Sequence, residues 1–478
     1  MPTKLWIGGK AVQAVSGRTY EVLDPADGKV LSEVSQGAEA DIDAAVRAAV
    51  KAMSGPWGGF SARERCKVLL RISALVRENA QELALLETRN AGKPLSDARD
   101  EINLVADVFE YYAGAATKHL GETIPVASAG LDFTVREPVG VCALIVPWNF
   151  PLVIASWKVA PALACGNAMV LKPAPETPLT ALRLAELAAE AGLPEGVLNV
   201  VPGPGPGCGS ALVEHPLVRK VSFTGSTKTG TAVMRAAAEG IKRVSLELGG
   251  KSPNVVFDDA DLDLCVEKSV WSVFSNAGQD CCARSRAIVH KSILDRFLEK
   301  FVARTKAIVV GHPEKEGTQV GPLISAKQLN SVQGYIDSGK SEGAKLLCGG
   351  ARPAGALAQG FFLTPAVFTD VAPDMRIARE EIFGPVLAVL PFQDEAEAVA
   401  LANDTPYGLS GSVWTRDIGR VLRVTRALQA GVISVNSSSS VHLEAPFGGY
   451  KASGTGRELG LRALDLYSEV KNVFLADV

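Results

Sequence analysis

The chain has 478 residues, enough for two or three domains, each with its own core. Hydrophobic residues make up 47% and charged residues 21%, the balance of an ordinary globular protein rather than a disordered or fibrous one. The net charge of −3 provides no basic face for nucleic acid or an anionic membrane, so neither partner is expected.

Residues 5–35 read as short strands, with turn signals at Gly8-Gly9, Asp24-Pro25 and Asp27-Gly28. The start, M-P-T-K-L-W-I-G-G-K, lacks the apolar run of a signal peptide. A helix is predicted from about Ala40, with Ile42, Val46, Ala49, Val50 and Met53 on one face. Ser61 and Glu64 form a capping-box pattern before a second helix that carries Val68, Leu69, Ile72, Leu75 and Val76. A third helix ends near Gly92, and Ser96 is expected to cap a fourth that runs to about His119. Nothing in this helical layer calls for chemistry.

Residues 138–157 contain no charge, the one stretch that invites a membrane reading. Pro138, Pro147, Asn149 and Pro151 interrupt it, so it reads as a buried strand, a turn and a helix start. Strands are predicted over 133–135, 139–146, 168–171, 198–201, 221–223 and 244–246. Between them lie a helix over 178–191, with Thr177 as cap and Pro178 at its first position, and another beginning near Ser226. Such alternation implies a parallel sheet covered on both faces, with ligands bound beyond the carboxyl ends of its strands. A second alternating region has strands over 254–257, 287–290, 388–391, 410–413 and 431–436, helices over 262–274 and 294–309, and a loop over 353–360. Residues 467–474 read as a last strand without a sheet of its own, which pairs with another part of the molecule or with another subunit.

Eight cysteines without regular spacing do not form a disulfide framework, and all are read as reduced thiols of a cytoplasmic protein. Cys281 and Cys282 stand in F-S-N-A-G-Q-D-C-C-A-R-S-R, residues 274–286. A thiol on such a turn, among amides and with Arg284 and Arg286 nearby, can have its thiolate stabilised and act as a nucleophile. The bland alternative is a small core hydrophobe. P-W-N-F-P, residues 147–151, holds Asn149 on a stiff turn, where its amide can stabilise an oxyanion or simply satisfy backbone groups. Glu247 ends a strand in E-L-G-G-K-S and can serve as a general base; the alternative is a solvated strand end. None of the five histidines is near the cysteine pair in sequence, and no two have metal-ligand spacing, so no metal is expected. The turn V-V-P-G-P-G-P-G-C-G, residues 200–209, and F-T-G-S, residues 223–226, follow strands and open helices; with Lys172 at another strand end they suggest a nucleotide site.

These segments, with L-K-P, E-E-I-F-G-P-V and P-F-G-G-Y-K-A-S-G-T-G-R-E-L-G, resemble the aldehyde dehydrogenase superfamily in its motif order along nearly the whole chain. The resemblance implies an α/β fold: a Rossmann-type cofactor domain (1–120 and 140–247), an α/β catalytic domain (248–445) and a small β oligomerisation arm with the tail (121–139 and 446–478). It implies a homo-oligomer, dimer or tetramer, in which the arm's terminal strand extends a neighbour's sheet. Cys281 matches the nucleophile, Glu247 the general base and Asn149 the oxyanion amide; Cys282 matches a neighbouring position that is not the nucleophile. Cofactor contacts are implied for Ile145, Val146, Pro147, Trp148, Lys172, Pro175, Glu176, Gly205, Phe223, Gly225, Ser226, Leu248, Gln328, Glu381 and Phe383. The implied reaction is oxidation of an aldehyde to the acid with NAD or NADP, through a cysteine thioester hydrolysed by water.

Two positions depart from the usual pattern. Many NAD-specific members place a glutamate three residues after the lysine, where this chain has Pro175 and then Glu176; NAD is placed ahead of NADP. The substrate tunnel is expected from Phe150, Trp157, Trp271, Ser275, Cys282, Ser439 and Val441, with His442 within reach. Serines 437–440 give either a flexible surface loop or a wider, more polar tunnel. Glu247 argues against a CoA-acylating semialdehyde dehydrogenase, the nucleotide segments against a cysteine esterase, and the intact trio against a non-catalytic structural relative.

Overall fold

The structure, a computed structural model, describes residues 1–439 and 441–477. An eight-stranded sheet runs Gly454–Thr455, Arg243–Glu247, Val218–Thr224, Val141–Ile145, Ala168–Lys172, Leu198–Val200, Leu5–Ile7, Lys10–Val12. Its five central strands, from Arg243–Glu247 to Leu198–Val200, are parallel. The chain leaves Val141–Ile145, builds outward through Ala168–Lys172 and Leu198–Val200, then returns to the other side of Val141–Ile145 with Val218–Thr224. The reversal opens a crevice at the carboxyl ends of Val141–Ile145 and Val218–Thr224.

A seven-stranded sheet follows, ordered Lys345–Cys348, Ala366–Thr369, Val386–Phe392, Arg286–His290, Pro253–Val256, Ser410–Trp414, Val432–Val435. All its pairings are parallel except that of Lys345–Cys348. The α/β expectation is borne out. Three apolar clusters fill the layers: one around the first sheet and two around the second.

The charge-free stretch becomes the strand Val141–Ile145 and the helix Pro151–Ala164, every residue of which is buried. That burial, rather than a bilayer, accounts for its composition. Among the described residues, no helix is long and apolar enough to cross a membrane. The capping box forms as predicted: Ser61 Oγ accepts from the Glu64 N–H while the Glu64 carboxylate accepts from the Ser61 N–H.

Several local expectations need correction. Ser96 lies inside the helix Leu95–Ala115, which starts after Pro94, and its hydroxyl bonds Asp97 instead of capping. Thr177 caps nothing; its buried hydroxyl has no partner and Pro178 occupies the N-cap of Leu179–Glu190. The loop over 353–360 contains a 3₁₀ turn, Gly355–Gln359. The tail strand Ser468–Ala476 takes the first of its two expected partners, another part of the molecule: it pairs antiparallel to Gly130–Pro138, in a three-stranded sheet with Thr123–Ile124. Residues 446–478 also supply Gly454–Thr455 to the first sheet, antiparallel to Arg243–Glu247, so this segment serves two sheets.

Candidate active site

Two cavities meet at Cys281. One, of about 270 Å³, lies in the crevice at the strand reversal; Asn149, Glu247 and Cys281 all line it. The other, of about 470 Å³, lies on the far side of the thiol. Phe150, Ile154 and Cys281 border both.

The cysteine turn is built from unusual backbone. Asn276, Ala277 and Gly278 have φ of 49°, 54° and 71°, three consecutive residues in the left-handed region, which is costly for the two that are not glycine. Side chains hold it there. Asn276 Nδ2 donates to the Asn149 carbonyl (2.9 Å) and to the Gln279 carbonyl (3.2 Å). Gln279 Nε2 donates back to the Asn276 carbonyl (3.1 Å), and its Oε1 accepts from the Ile324 N–H (2.9 Å). Asn149 Nδ2 donates to the Gln279 carbonyl at 3.0 Å, which engages one of its two N–H bonds and leaves the other for a ligand oxygen.

The Asn149 turn also rests on residues that the sequence reading dismissed as a helical layer without chemistry. Buried Lys93 donates from Nζ to the Asn149 carbonyl (3.1 Å), pairs with Glu101 and sits 4.6 Å from the Phe150 ring centroid. Burial pushes the Glu101 carboxyl up to about 7. Glu87 accepts from the Leu152 N–H and from the Thr180 hydroxyl. No local motif marks these residues, and in sequence they do not stand out from the many other charged residues of these helices.

The Arg284 charge acts on both Cys281 and Cys282. Its guanidinium donates to Ser412 Oγ and to the carbonyls of Cys282 and Gly411. Arg286 donates to the carbonyls of Lys251, Leu401 and Ala402. Both guanidinium groups brace the backbone beneath the turn. The Cys281 thiol is nonetheless held well above its usual range by its hydrogen bond with Cys282, by burial, and by the charges of Asp280 and Glu381. Asp280, also raised by burial, accepts from the Cys282 N–H at 2.8 Å.

Glu247 is 4% exposed, and neither carboxylate oxygen has a hydrogen-bond partner. Burial and the nearby Glu458 charge raise it well above the ordinary carboxylate range, with Lys158 and Arg457 opposing. Glu458 itself pairs with buried Lys158 and accepts from the Ser222 hydroxyl. An unpartnered, protonatable carboxylate beside a thiol can exchange protons with a bound ligand or water.

Eight of the expected cofactor positions line the first cavity: Pro147, Trp148, Gly225, Ser226, Leu248, Gln328, Glu381 and Phe383. Trp148 and Phe383 meet edge to face, with centroids 5.2 Å apart. Gln328 Nε2 donates to the Phe383 carbonyl (2.7 Å). Glu381 accepts from the Gly250 N–H (2.9 Å), and burial pushes it up to about 7. Ser226 caps the twelve-residue helix Thr227–Ala238. Ile145, Val146 and Phe223 are buried strand ends rather than lining residues, and Lys172, Pro175, Glu176 and Gly205 also lie outside this cavity. Lys172 Nζ donates to the Pro173 carbonyl (3.0 Å), and burial lowers its affinity for a proton. Glu176 is exposed near it.

All seven expected tunnel residues line the second cavity: Phe150, Trp157, Trp271, Ser275, Cys282, Ser439 and Val441. Leu104, Val153, Lys268, Ser272 and Phe447 line it as well and were not anticipated, whereas His442 does not line it. Ser440 lies outside the described residues.

The described residues contain one cluster with metal-ligand character, Asp280, Cys281 and Cys282, which is the cysteine turn itself. All eight cysteines are free thiols.

The aldehyde dehydrogenase family model matches residues 12–473. An aldehyde dehydrogenase from Bacillus cereus, solved as its NAD+ complex, is 45% identical; the match covers 100% of this chain and 97% of that one, with a TM-score of 0.97. PnpE from Pseudomonas sp. WBC-3 is 43% identical over 99% of this chain and 98% of its own, with a TM-score of 0.98. Betaine aldehyde dehydrogenase from Staphylococcus aureus, in complex with NAD+, is 40% identical over 99% and 94%, with a TM-score of 0.97.

Proposed function

We propose, from the premise that this chain belongs to the aldehyde dehydrogenase family, that it oxidises an aldehyde to the carboxylic acid through a thioester on Cys281. The observation that carries this reading is the placement of Cys281 between two cavities, with the unpartnered Glu247 carboxylate in one of them.

The first cavity fits a dinucleotide. It opens at the strand reversal, has an apolar wall of Pro147, Trp148 and Leu248, and includes the capped N-terminus at Ser226. Ser226 would take a phosphate, Glu381 a ribose hydroxyl and Lys172 the ribose or phosphate farther along the strand ends. When bound, the nicotinamide supplies the hydride acceptor. Relatives of 40–45% identity that hold NAD+ support the nicotinamide class. NAD is favoured over NADP, with Glu176 in place of the carboxylate missing at Pro175. A higher kcat/KM with NADP+ than with NAD+ would reverse that preference.

The chain's own residues then act in turn. The Cys281 thiol gives its proton to water in the cavity, and the thiolate sulfur attacks the aldehyde carbon. The free Asn149 N–H and the Cys281 backbone N–H hold the oxyanion. After oxidation the carbon remains as a thioester. Glu247 takes a proton from water, which attacks the thioester and releases the acid and the thiol. A carboxylate in the cavity favours hydrolysis over transfer to CoA.

The strand Ser468–Ala476 is an edge of its sheet among the described residues and exposes Val470, Phe474 and Leu475. We take this edge as the contact of a dimer or tetramer. The free thiols suit a cytoplasmic protein. Reduction of NAD+ or NADP+ across a panel of aldehydes tests the whole reading, and a purified protein that reduces neither with any aldehyde would overturn it.

A further inference from the structure

The second cavity carries more information than its aromatic wall. The helix Leu262–Phe274 and the residue after it present Lys268, Trp271, Ser272 and Ser275 to the cavity, spaced so that they share one face. Ser275 begins the cysteine turn, and Lys268 lies seven residues back, about 10 Å along the helix axis. Lys268 therefore marks the end of the tunnel remote from the thiol. The serine loop docks at the same place, where the Ser438 hydroxyl donates to the Lys268 carbonyl at 3.2 Å.

The charges lining this cavity are Lys268, Asp280 and Arg284. Asp280 is turned to the Cys282 N–H and Arg284 to backbone carbonyls and Ser412, both beside the thiol. Glu267, the acid next to Lys268, is engaged by Arg304 (2.8 Å) and by Trp271 Nε1 (3.1 Å). Lys268 is thus a cation at the mouth whose ammonium makes no contact with a protein acceptor among the described residues. Deeper in, Trp157, Ser272 and Ser275 line the cavity.

We propose that the preferred aldehyde carries an anionic group, a carboxylate, at the end remote from its carbonyl, and that Lys268 receives that group at the tunnel mouth. The substrate class is then an oxo acid, and the product a dicarboxylate. Lys268 is a specificity residue: it touches the far end of the substrate and leaves the chemistry at Cys281 unchanged. This inference rests on the aldehyde-oxidising reading and adds the substrate's second functional group.

The test compares an ω-oxo acid, its methyl ester and an unsubstituted alkanal of the same chain length. In the wild-type protein, KM for the acid is expected to be about fivefold below that for the ester, the scale of a solvent-accessible ion pair. In Lys268→Ala the acid-to-ester ratio of KM moves to about one, and in Lys268→Glu it inverts. Raising the salt concentration narrows the wild-type ratio because exposed charges are screened. An acid-to-ester ratio unchanged in both variants overturns the proposal and leaves aldehyde oxidation standing. A protein that oxidises none of the three overturns the parent reading instead. In that event, calorimetric binding of the dicarboxylate against its monomethyl ester still decides the role of Lys268: equal affinities in wild type and Lys268→Glu overturn it.

Discussion

Replacing Cys281 with Ala removes the thiol that both cavities share, so aldehyde oxidation is expected to fall by roughly three orders of magnitude or more, followed by absorbance of the reduced nicotinamide. Retained turnover would place the nucleophile elsewhere. The pH profile follows from the same residues. In the proposed mechanism Cys281 must be deprotonated to attack and Glu247 to act as base, and the fold holds both protons more tightly than usual. Activity is therefore expected to rise with pH through neutrality into the alkaline range; a maximum below neutrality would contradict the two shifts. Cys281, Glu247 and Asn149 were legible in the sequence because each stands on a short glycine- or proline-bearing motif. Lys93, Glu101 and Glu458 were not, because burial and pairing across 8 to 300 residues give them their meaning. Of the two arginines near the thiol in sequence, Arg284 acts on its charge, whereas Arg286 turns to the carbonyls of Lys251, Leu401 and Ala402.

The left-handed run 276–278 locks the cysteine turn against the turn that carries Glu381 and Phe383. A Cβ at Gly278 would stand 2.2 Å from the Gly384 carbonyl oxygen and 2.7 Å from the Pro385 nitrogen, on backbone at φ +71°. Gly278→Ala is accordingly expected to cost about 2–3 kcal/mol or more, visible as a lower urea midpoint, and to weaken nucleotide binding through the displaced Glu381 turn. An unchanged midpoint would show that the two turns are not locked together. By contrast, Ser61→Ala breaks only the capping box and should cost about 1 kcal/mol with activity intact. Elements with a strong apolar stripe or a cap were read correctly from sequence, Leu262–Phe274 to its ends. The helix Ala326–Ser341, which carries Gln328, was missed because its buried Leu329, Val332, Ile336 and Gly339 are diluted by serines and glycines. Thr177 and Ser96 failed as caps because the chain entered each helix through a proline.

At the scale of the whole molecule, the proposed reaction draws on both sheets: Asn149 and Glu247 follow or end strands of the first, and Cys281 lies just before the strand Arg286–His290 of the second. The strand alternation announced both sheets, but not the way residues 446–478 are shared between two of them; antiparallel edge pairing is set by tertiary packing rather than by local pattern. The exposed tail edge makes the assembly testable. Charges at Val470 and Phe474 are expected to shift sedimentation toward the monomer with the fold intact, whereas a wild-type protein that sediments as a monomer would remove the role given to that edge. The most direct test of the account asks whether the three separated segments share one covalent event. Glu247→Gln should take up aldehyde and oxidised nicotinamide, form the thioester and stall before hydrolysis. Intact-mass and peptide analysis should then find a single acyl group on Cys281. No adduct, or an adduct on any other residue, would contradict the account.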